Sequence, residues 1–311
     1  MMNLNESVKI SVLMTIFEEP IEWVKLSIES LAEDLDLGDE VIVIVDNPMY
    51  SFINQLEYIV SKDERFSVYI NEKNIGLSKS LNRAFQVAKG LFIARMDADD
   101  VVIKGRFSKS LSYLQKNSLD FVSTGIIEID KNGEPINQIS SNFSYVGNNN
   151  LIKSLKYQNM LWHPTWLIRR EVFEKNDGYR DIFGAEDYDF IVRALLSGFS
   201  IGVLQKPLLY KRISSKAISG KYAYVQFLNA ELIRKQLSTQ KLIPAEDFYY
   251  KTYDLGRLQY DIAKDRFEIG SRIMKIAYLL RSVFFYGGRK FIRNIYLNKR
   301  AWSIGKKELK S

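Results

Sequence analysis

The chain has no cysteine, which excludes disulfides, thiolate metal sites and cysteine nucleophiles together. It has one histidine, His163, so a metal centre built from several histidines is impossible and a Ser–His scheme has no second histidine to draw on. No run of about eighteen uncharged apolar residues occurs, so no transmembrane helix is expected. The N-terminus lacks the apolar core of a secretory signal, which predicts a cytosolic protein. Neither G-x-G-x-x-G nor G-x-x-x-x-G-K is found, so the usual glycine-rich phosphate loops are missing. There is no internal repeat and no low-complexity tract.

What remains is ordinary in bulk and unusual in detail. Hydrophobic residues make up 46% and charged residues 26% of 311, enough for one large domain or a domain with an appendage. Aromatic residues are plentiful, with eighteen Tyr and eighteen Phe. The net charge of +7 is unevenly placed: ten bases and no acid lie between Ile269 and Lys307, leaving 34 bases against 37 acids elsewhere. A nucleic-acid enzyme carries positive charge around its working cleft. Here the excess sits in the tail, and no nucleic-acid partner is expected.

The first half alternates strand and helix patterns. VKISVLMTIF (8–17) reads as a buried strand. Pro20 then opens a helix whose apolar face is Val24, Ile28, Leu31 and Leu35. EVIVIVD (40–46) is rich in β-branched residues, as a strand covered on both faces should be. Phe52, Leu56, Ile59 and Val60 mark a helix, and FSVYI (66–70) a strand. Leu77, Leu81, Ala84, Phe85 and Ala88 mark a further helix, which Gly90 is expected to stop. LFIARM (91–96) is the next strand. The alternation predicts an α/β layered fold with a mainly parallel sheet.

After a helix expected near 105–117, the pattern changes. Residues 120–136 suggest a strand pair turning at Asn132-Gly133. The stretch 141–150 reads as a polar loop, HPTWLIRR (163–170) as a strand and 171–179 as a short helix. AEDYDFIVRALLSG (185–198) reads as a helix with acids at its start and Gly198 at its stop, and 200–213 as the last strand. From Ser214 onward only helical patterns remain.

The residues that stand out are Asp97, Asp99 and Asp100, three carboxylates within four positions at a strand end. Carboxylates this close repel one another, and burial without a counter-charge is costlier still. Either water solvates them on a loop, or a cation belongs among them. Thr15–Glu19, Asp46 and Asn71–Gly76 also fall at expected strand ends, and ligands of open parallel sheets bind beyond the carboxyl ends of the strands. Four such loops on one edge would line one pocket.

KISVLMTIFEEP, EVIVIVDNP, NEKNIGLSKSLNRAFQVAKG and FIARMDADD, with HPTWLIRR and GAEDYDFIVRAL downstream, resemble in order and spacing the family 2 glycosyltransferases of GT-A fold, particularly bacterial enzymes that build O-antigen and capsule chains. The resemblance spans roughly Val8 to Tyr210. It implies a GT-A domain over 1–213, Rossmann-like with helices on both faces. The nucleotide-sugar half would be about 8–100 and the acceptor half 101–213, followed by a helical, basic region over 214–311. It implies inverting transfer from a nucleotide sugar, most often a UDP-sugar by family habit with GDP and dTDP open, to a hydroxyl of a lipid-linked glycan.

The resemblance also implies roles. A divalent cation, Mn²⁺ or Mg²⁺, would sit on Asp99 and stabilise the leaving diphosphate. Asp97 would contact ribose or base, and Asp100 would support the loop. Asp46 would bind the nucleoside, with Thr15, Phe17 and Glu19 around the base. Asn74 and Gly76 would turn backbone amides toward the diphosphate. Many members carry Arg where Leu81 stands before Asn82; Lys79, Arg83 or Arg95 would supply that cation instead. Asp187 would be the base and Glu186 would orient it or the acceptor, with Asp189 as the fallback. The plain alternative is first-turn acids on the helix dipole. His163 lies near the diphosphate or acceptor, or is a structural histidine. Arg169 and Arg170 either fix phosphate or face solvent.

The tail mixes its bases with Ile, Leu, Phe and Tyr; Ile276, Leu279, Leu280 and Val283 fit one helical face before Gly287-Gly288. Such a segment either holds the protein on an anionic membrane surface without spanning it or caps the domain. Two other readings of the whole chain stay open at this level, a nucleotidyltransferase and a non-catalytic nucleotide-binding module.

Overall fold

The computed structural model describes residues 9–139, 148–213, 223–250, 293 and 295–297. Of the polar loop expected across 141–150, residues 148–150 instead open a helix (Asn148–Leu155), and 141–147 lie outside the described residues, as does the tail helix with its Gly287-Gly288 break. The chain forms two compact units. One holds residues up to 148 with 161–180 and 193–214; the other holds 149–160, 181–192 and residues from 215 onward.

The first unit is built on a nine-stranded sheet. Strands β1 (Ile10–Ile16), β2 (Glu40–Val45), β3 (Phe66–Ile70) and β4 (Phe92–Asp97) are parallel, in the order β3-β2-β1-β4. The helices α1 (Ile21–Asp34), α2 (Ile53–Val60) and α3 (Leu77–Val87) connect them. Val12, Met14 and Ile16 of β1 share one core with Val24, Ile28 and Leu31 of α1 and Leu56 of α2. Leu13, on the alternate face, is also buried, so the strand reads as a continuous apolar run.

Beyond β4 the sheet is mixed rather than parallel. β8 (Leu167–Arg169) runs antiparallel to β4 and to β6 (Phe121–Ile129). The long β9 (Ile201–Arg212) runs parallel to β6 and antiparallel to the two-residue β5 (Val101–Val102). The hairpin expected at Asn132-Gly133 joins β6 to β7 (Pro135–Ile139), with Gly133 at φ +92° and the Asp130 carboxylate accepting the amides of Asn132 and Glu134. Helices α4 (Arg106–Lys116) and α6 (Arg170–Lys175) complete the layer. The strand expected across 163–170 is only Leu167–Arg169, because His163–Thr165 forms a 3₁₀ turn.

Gly90 has a different reason from the one its position suggests. Helix α3 ends at Val87, and Gly90 lies where an added Cβ would stand 2.5 Å from the Ser11 amide nitrogen. It permits close backbone approach rather than capping a helix.

In the second unit are α5 (Asn148–Leu155, from residue 149), the opening of α7 (Glu186–Leu196) and α8 (Ala223–Thr239). Tyr224, Phe227 and Leu228 of α8 bury Leu297 among them. Arg293 pairs with Glu231 of α8 at 2.7 Å, so this piece of the tail packs against its own unit. No described helix is long and apolar enough to cross a membrane.

Candidate functional site

Parallel pairing brings the predicted loops to one sheet edge. Register sets Thr15 of β1 beside both Ile44 of β2 and Asp97 of β4. Asp46 follows β2, and its amide bonds the Ile16 carbonyl. Carboxylate oxygens of Asp97, Asp99 and Asp100 lie within 4.8 Å of one another. Glu19 comes close enough to raise the Asp99 pKa.

Three acids are held together here by a basic frame. Arg95 is 4% exposed and reaches Asp97 at 2.5 Å. Arg212 donates its amide to Asp100 Oδ1 at 2.9 Å and its Nε to the Asp99 carbonyl at 3.0 Å, while its guanidinium lies over the Trp23 ring. Lys211, beside it on β9, is held in its charged form by Asp100, Asp97 and Asp99 against the penalty of burial. Arg106, 1% exposed, donates to the carbonyls of Arg95 and Pro164 at 2.6 Å each.

These surroundings pull the carboxylates apart. Burial would raise Asp97, but Arg95, Lys211 and His163 hold it below the usual carboxylate range. Burial and the Asp97 charge push Asp99 up to about 6, and burial with both neighbours drives Asp100 well above its ordinary value. Glu19 is raised as well, mainly by burial. Asp100 is fully buried, yet its Oδ2 has no hydrogen-bond partner among the described residues. A buried carboxylate oxygen without a donor is costly. Hard oxygens so placed, beside two further carboxylates, fit a divalent cation such as Mn²⁺ or Mg²⁺.

Asp46, 5% exposed, accepts from Asn71 Nδ2 (2.7 Å) and from the amides of Ile75 (2.8 Å) and Gly76 (2.9 Å). Its carboxylate thereby fixes the turn into α3, where Gly76 takes φ +87°. The Ile75 and Gly76 amides thus face Asp46 in this structure, and a phosphate reaches them only by displacing it. A carboxylate has about four acceptor positions, so one remains for an incoming N–H. Asn74 accepts the Gly76 amide at 3.0 Å. The exposed Phe17 donates its amide to Glu19 Oε2 at 2.6 Å.

Of the cations expected to replace the one missing at Leu81, Arg83 donates to the Ile70 carbonyl at 2.8 Å and to the Asn71 side chain. Lys79 is exposed in the first turn of α3, and Leu81 itself is fully buried core. Arg169 and Arg170 both bond backbone carbonyls, of Leu119 and of Gly90 and Ala88.

His163 packs on Trp166 with ring centroids 4.5 Å apart, and its Nε2 lies 2.7 Å from the Tyr179 hydroxyl. Burial, then the Arg95 charge, lowers its pKa well below 6.5, so the ring is neutral. The second unit contains Glu186 and Asp187, in the first turn of α7. Asp187 Oδ2 accepts from Asn159 at 2.8 Å and Oδ1 from the Tyr188 amide at 2.6 Å. Asp189 is fully buried and accepts from Gln236 of α8 at 3.1 Å, a structural use for this acid.

The sequence reading passed over Lys211, Arg212, Arg106 and Tyr179. Lys211 and Arg212 reach the acids only through the pairing of β5 with β9. Arg106 carried no local signal, since its burial depends on β4 and the Pro164 turn.

Residues 11–177 match the family model described as glycosyl transferase family 2. The O-antigen biosynthesis glycosyltransferase WbnJ of Escherichia coli is 35% identical over 188 residues, 60% of this chain and 71% of WbnJ. The amylovoran biosynthesis glycosyltransferase AmsE of Erwinia amylovora is 24% identical over 235 residues, 73% of this chain and 86% of AmsE. Among solved structures, S. aureus TarS 1–349 in complex with UDP-GlcNAc aligns with TM-score 0.63 at 17% identity, covering 98% of this chain and 91% of that one. The architecture is that of a GT-A glycosyltransferase. The chain belongs to glycosyl transferase family 2 and is a glycosyltransferase.

Proposed function

We propose that the protein is an inverting, metal-dependent transferase that moves a sugar from a nucleotide sugar, a UDP-sugar first, to a hydroxyl of a lipid-linked oligosaccharide. The product would be O-antigen or capsule polysaccharide. The observation that carries this reading is the Asp97–Asp99–Asp100 cluster, with a buried Asp100 oxygen that has no hydrogen-bond partner among the described residues, in a family 2 fold. The names of WbnJ and AmsE support a polysaccharide product, and the UDP-GlcNAc bound to TarS supports a UDP-sugar donor.

Asp99 is the principal metal ligand in this reading, with Asp97 and Asp100 beside it. A bound Mn²⁺ or Mg²⁺ supplies positive charge against the leaving nucleoside diphosphate. Thr15, Phe17, Glu19 and Asp46 receive the nucleoside, Asp46 through its remaining acceptor position. Lys79 reaches the phosphates in this reading, while Asn74 and the Gly76 amide, bonded to each other and to Asp46, shape the turn that carries it. Arg95 acts through Asp97, keeping it ionised, and the neutral His163 serves as a hydrogen-bonding group rather than a charge. Asp187 takes the proton of the acceptor hydroxyl as that oxygen attacks the anomeric carbon, and Glu186 orients the acceptor. The bond to the diphosphate breaks in the same displacement, so no covalent enzyme intermediate forms. The bases between Ile269 and Lys307 support attachment to the anionic inner face of the cell membrane.

A panel of UDP-, GDP- and dTDP-sugars incubated with Mn²⁺, with and without chelator, tests the reading. Slow, chelator-sensitive release of one nucleoside diphosphate is expected. Release of pyrophosphate, or no metal-dependent release from any donor, would overturn it.

A further inference from the structure

The three hydrogen bonds on the Asp46 carboxylate are unevenly shared between its oxygens. Oδ1 accepts from both Asn71 Nδ2 (2.7 Å) and the Ile75 amide (2.8 Å), whereas Oδ2 accepts from the Gly76 amide at 2.9 Å. Each carboxylate oxygen offers about two acceptor positions. Among the described residues Oδ1 is therefore full, and the position left over is a single one on Oδ2.

The side chain that fills Oδ1 is itself locked. Asn71 is 2% exposed, and its Nδ2 also donates to Ser80 Oγ at 2.9 Å, so both amide hydrogens are in use. Its Oδ1 accepts from the Arg83 guanidinium, which donates to the Ile70 carbonyl as well, at 2.8 Å. Turning the amide over would set its NH₂ against the guanidinium and its oxygen against the Asp46 carboxylate, donor to donor and acceptor to acceptor. A cation on one side and an anion on the other hold the amide in one orientation.

We infer that Arg83, acting through Asn71, is a positioning residue for base selection: it keeps Asp46 Oδ1 filled, so the carboxylate takes uracil or thymine and turns guanine away. This rests on the reading of Asp46 as the residue that receives the nucleoside. Uracil and thymine present one N–H, at N3, between two carbonyls, and a single acceptor satisfies it. Guanine presents N1–H beside its N2 amino group, a pair that calls for both oxygens of a carboxylate. Its second N–H would meet an oxygen already full, and a buried donor left unpaired weakens binding about 10- to 100-fold. The nucleotide sugar is thereby narrowed to a UDP- or dTDP-sugar, and the selection lies in what is withheld from the wrong base.

The test is calorimetric titration of the full chain with UDP, dTDP and GDP in the presence of Mn²⁺. Wild type should bind UDP and dTDP within about threefold of each other and GDP about 10- to 100-fold more weakly. Asn71→Ala opens Oδ1 and should shrink the preference for UDP over GDP about 10-fold, and Arg83→Met should shrink it about threefold or more. Arg83→Lys, which can still donate to Asn71, should keep it. Adding Arg83→Met to Asn71→Ala should leave the ratio where Asn71→Ala put it, because Arg83 acts on Asp46 only through Asn71. A merely structural loss would weaken all three nucleotides alike and leave the ratio unmoved. If wild type binds GDP as tightly as UDP, or if the preference survives Asn71→Ala or Arg83→Met, the inference fails while the nucleotide-sugar reading stands. Asp46→Asn checks the reading beneath it and should weaken UDP about 10-fold or more. Undiminished UDP binding by that variant, or no binding of any of the three by wild type, would overturn the reading and the inference together.

Discussion

Nε2 of His163 lies 2.7 Å from the hydroxyl of Tyr179, whose backbone is held at both its amide and its carbonyl by the side chain of Asn82 (2.8 and 2.7 Å). Helix α3 thus fixes, through one tyrosine, the only histidine of the chain. That histidine is close enough to Asp97 to feel its charge.

Because burial depresses the folded-state pKa of His163 below 6.5, the unfolded chain binds the extra proton as pH falls. Stability should therefore be lost below about pH 6.5 and unaffected by this group above it. The slope is at most about 1.4 kcal/mol per pH unit. Melts of wild type and His163→Gln at pH 5, 6 and 7.5 should diverge in slope only below about 6.5. Parallel curves would show that the imidazole titrates normally.

Gly178 precedes that tyrosine at φ +63°, where an added Cβ would stand 2.4 Å from Asn82 Oδ1. Gly178→Ala should cost roughly 1–3 kcal/mol through backbone strain and the broken Asn82 pairing. Urea unfolding measures the loss. Donor KM should rise with it, since His163 loses its anchor.

Arg106 is charged and 1% exposed, with burial lowering its pKa to about 10. Arg106→Ala strips a buried donor from the Arg95 and Pro164 carbonyls and removes one of the positive charges near Asp100, with Lys211 remaining. A loss of about 3–5 kcal/mol is expected, read by urea unfolding, and Arg106→Lys should recover only part of it.

Much of this architecture could be read from the chain before any coordinates. Strands buried on both faces announce themselves as continuous β-branched runs, which is why β1, β2 and β4 and their acidic ends were legible. The mixed half was harder: β8 is three residues long, and a 3₁₀ turn takes His163 out of the strand its sequence suggests. Of the site, the carboxylates were visible because three aspartates in four positions demand a reason. Their counter-charges were not. Lys211 and Arg212 lie more than a hundred residues downstream and meet Asp100 only through the pairing of β5 with β9. Long-range pairing of that kind leaves no local pattern.

Asp99 titrates at about 6, raised by burial and by Asp97. A divalent cation needs the ionised form, so Mn²⁺ affinity should strengthen as pH rises to about 6 and level off above 7. Calorimetric titrations at pH 5.5 and 7.5 check this. Equal affinity at both would contradict it.

In the proposed reaction these carboxylates hold a cation which in turn holds the donor's diphosphate. Electron paramagnetic resonance of Mn²⁺ tests it directly, because free Mn²⁺ gives a sharp six-line signal that falls on binding. With UDP present, wild-type protein should quench that signal beyond what UDP achieves alone, and Asp99→Ala should not. Equal quenching by Asp99→Ala and wild type would contradict the account.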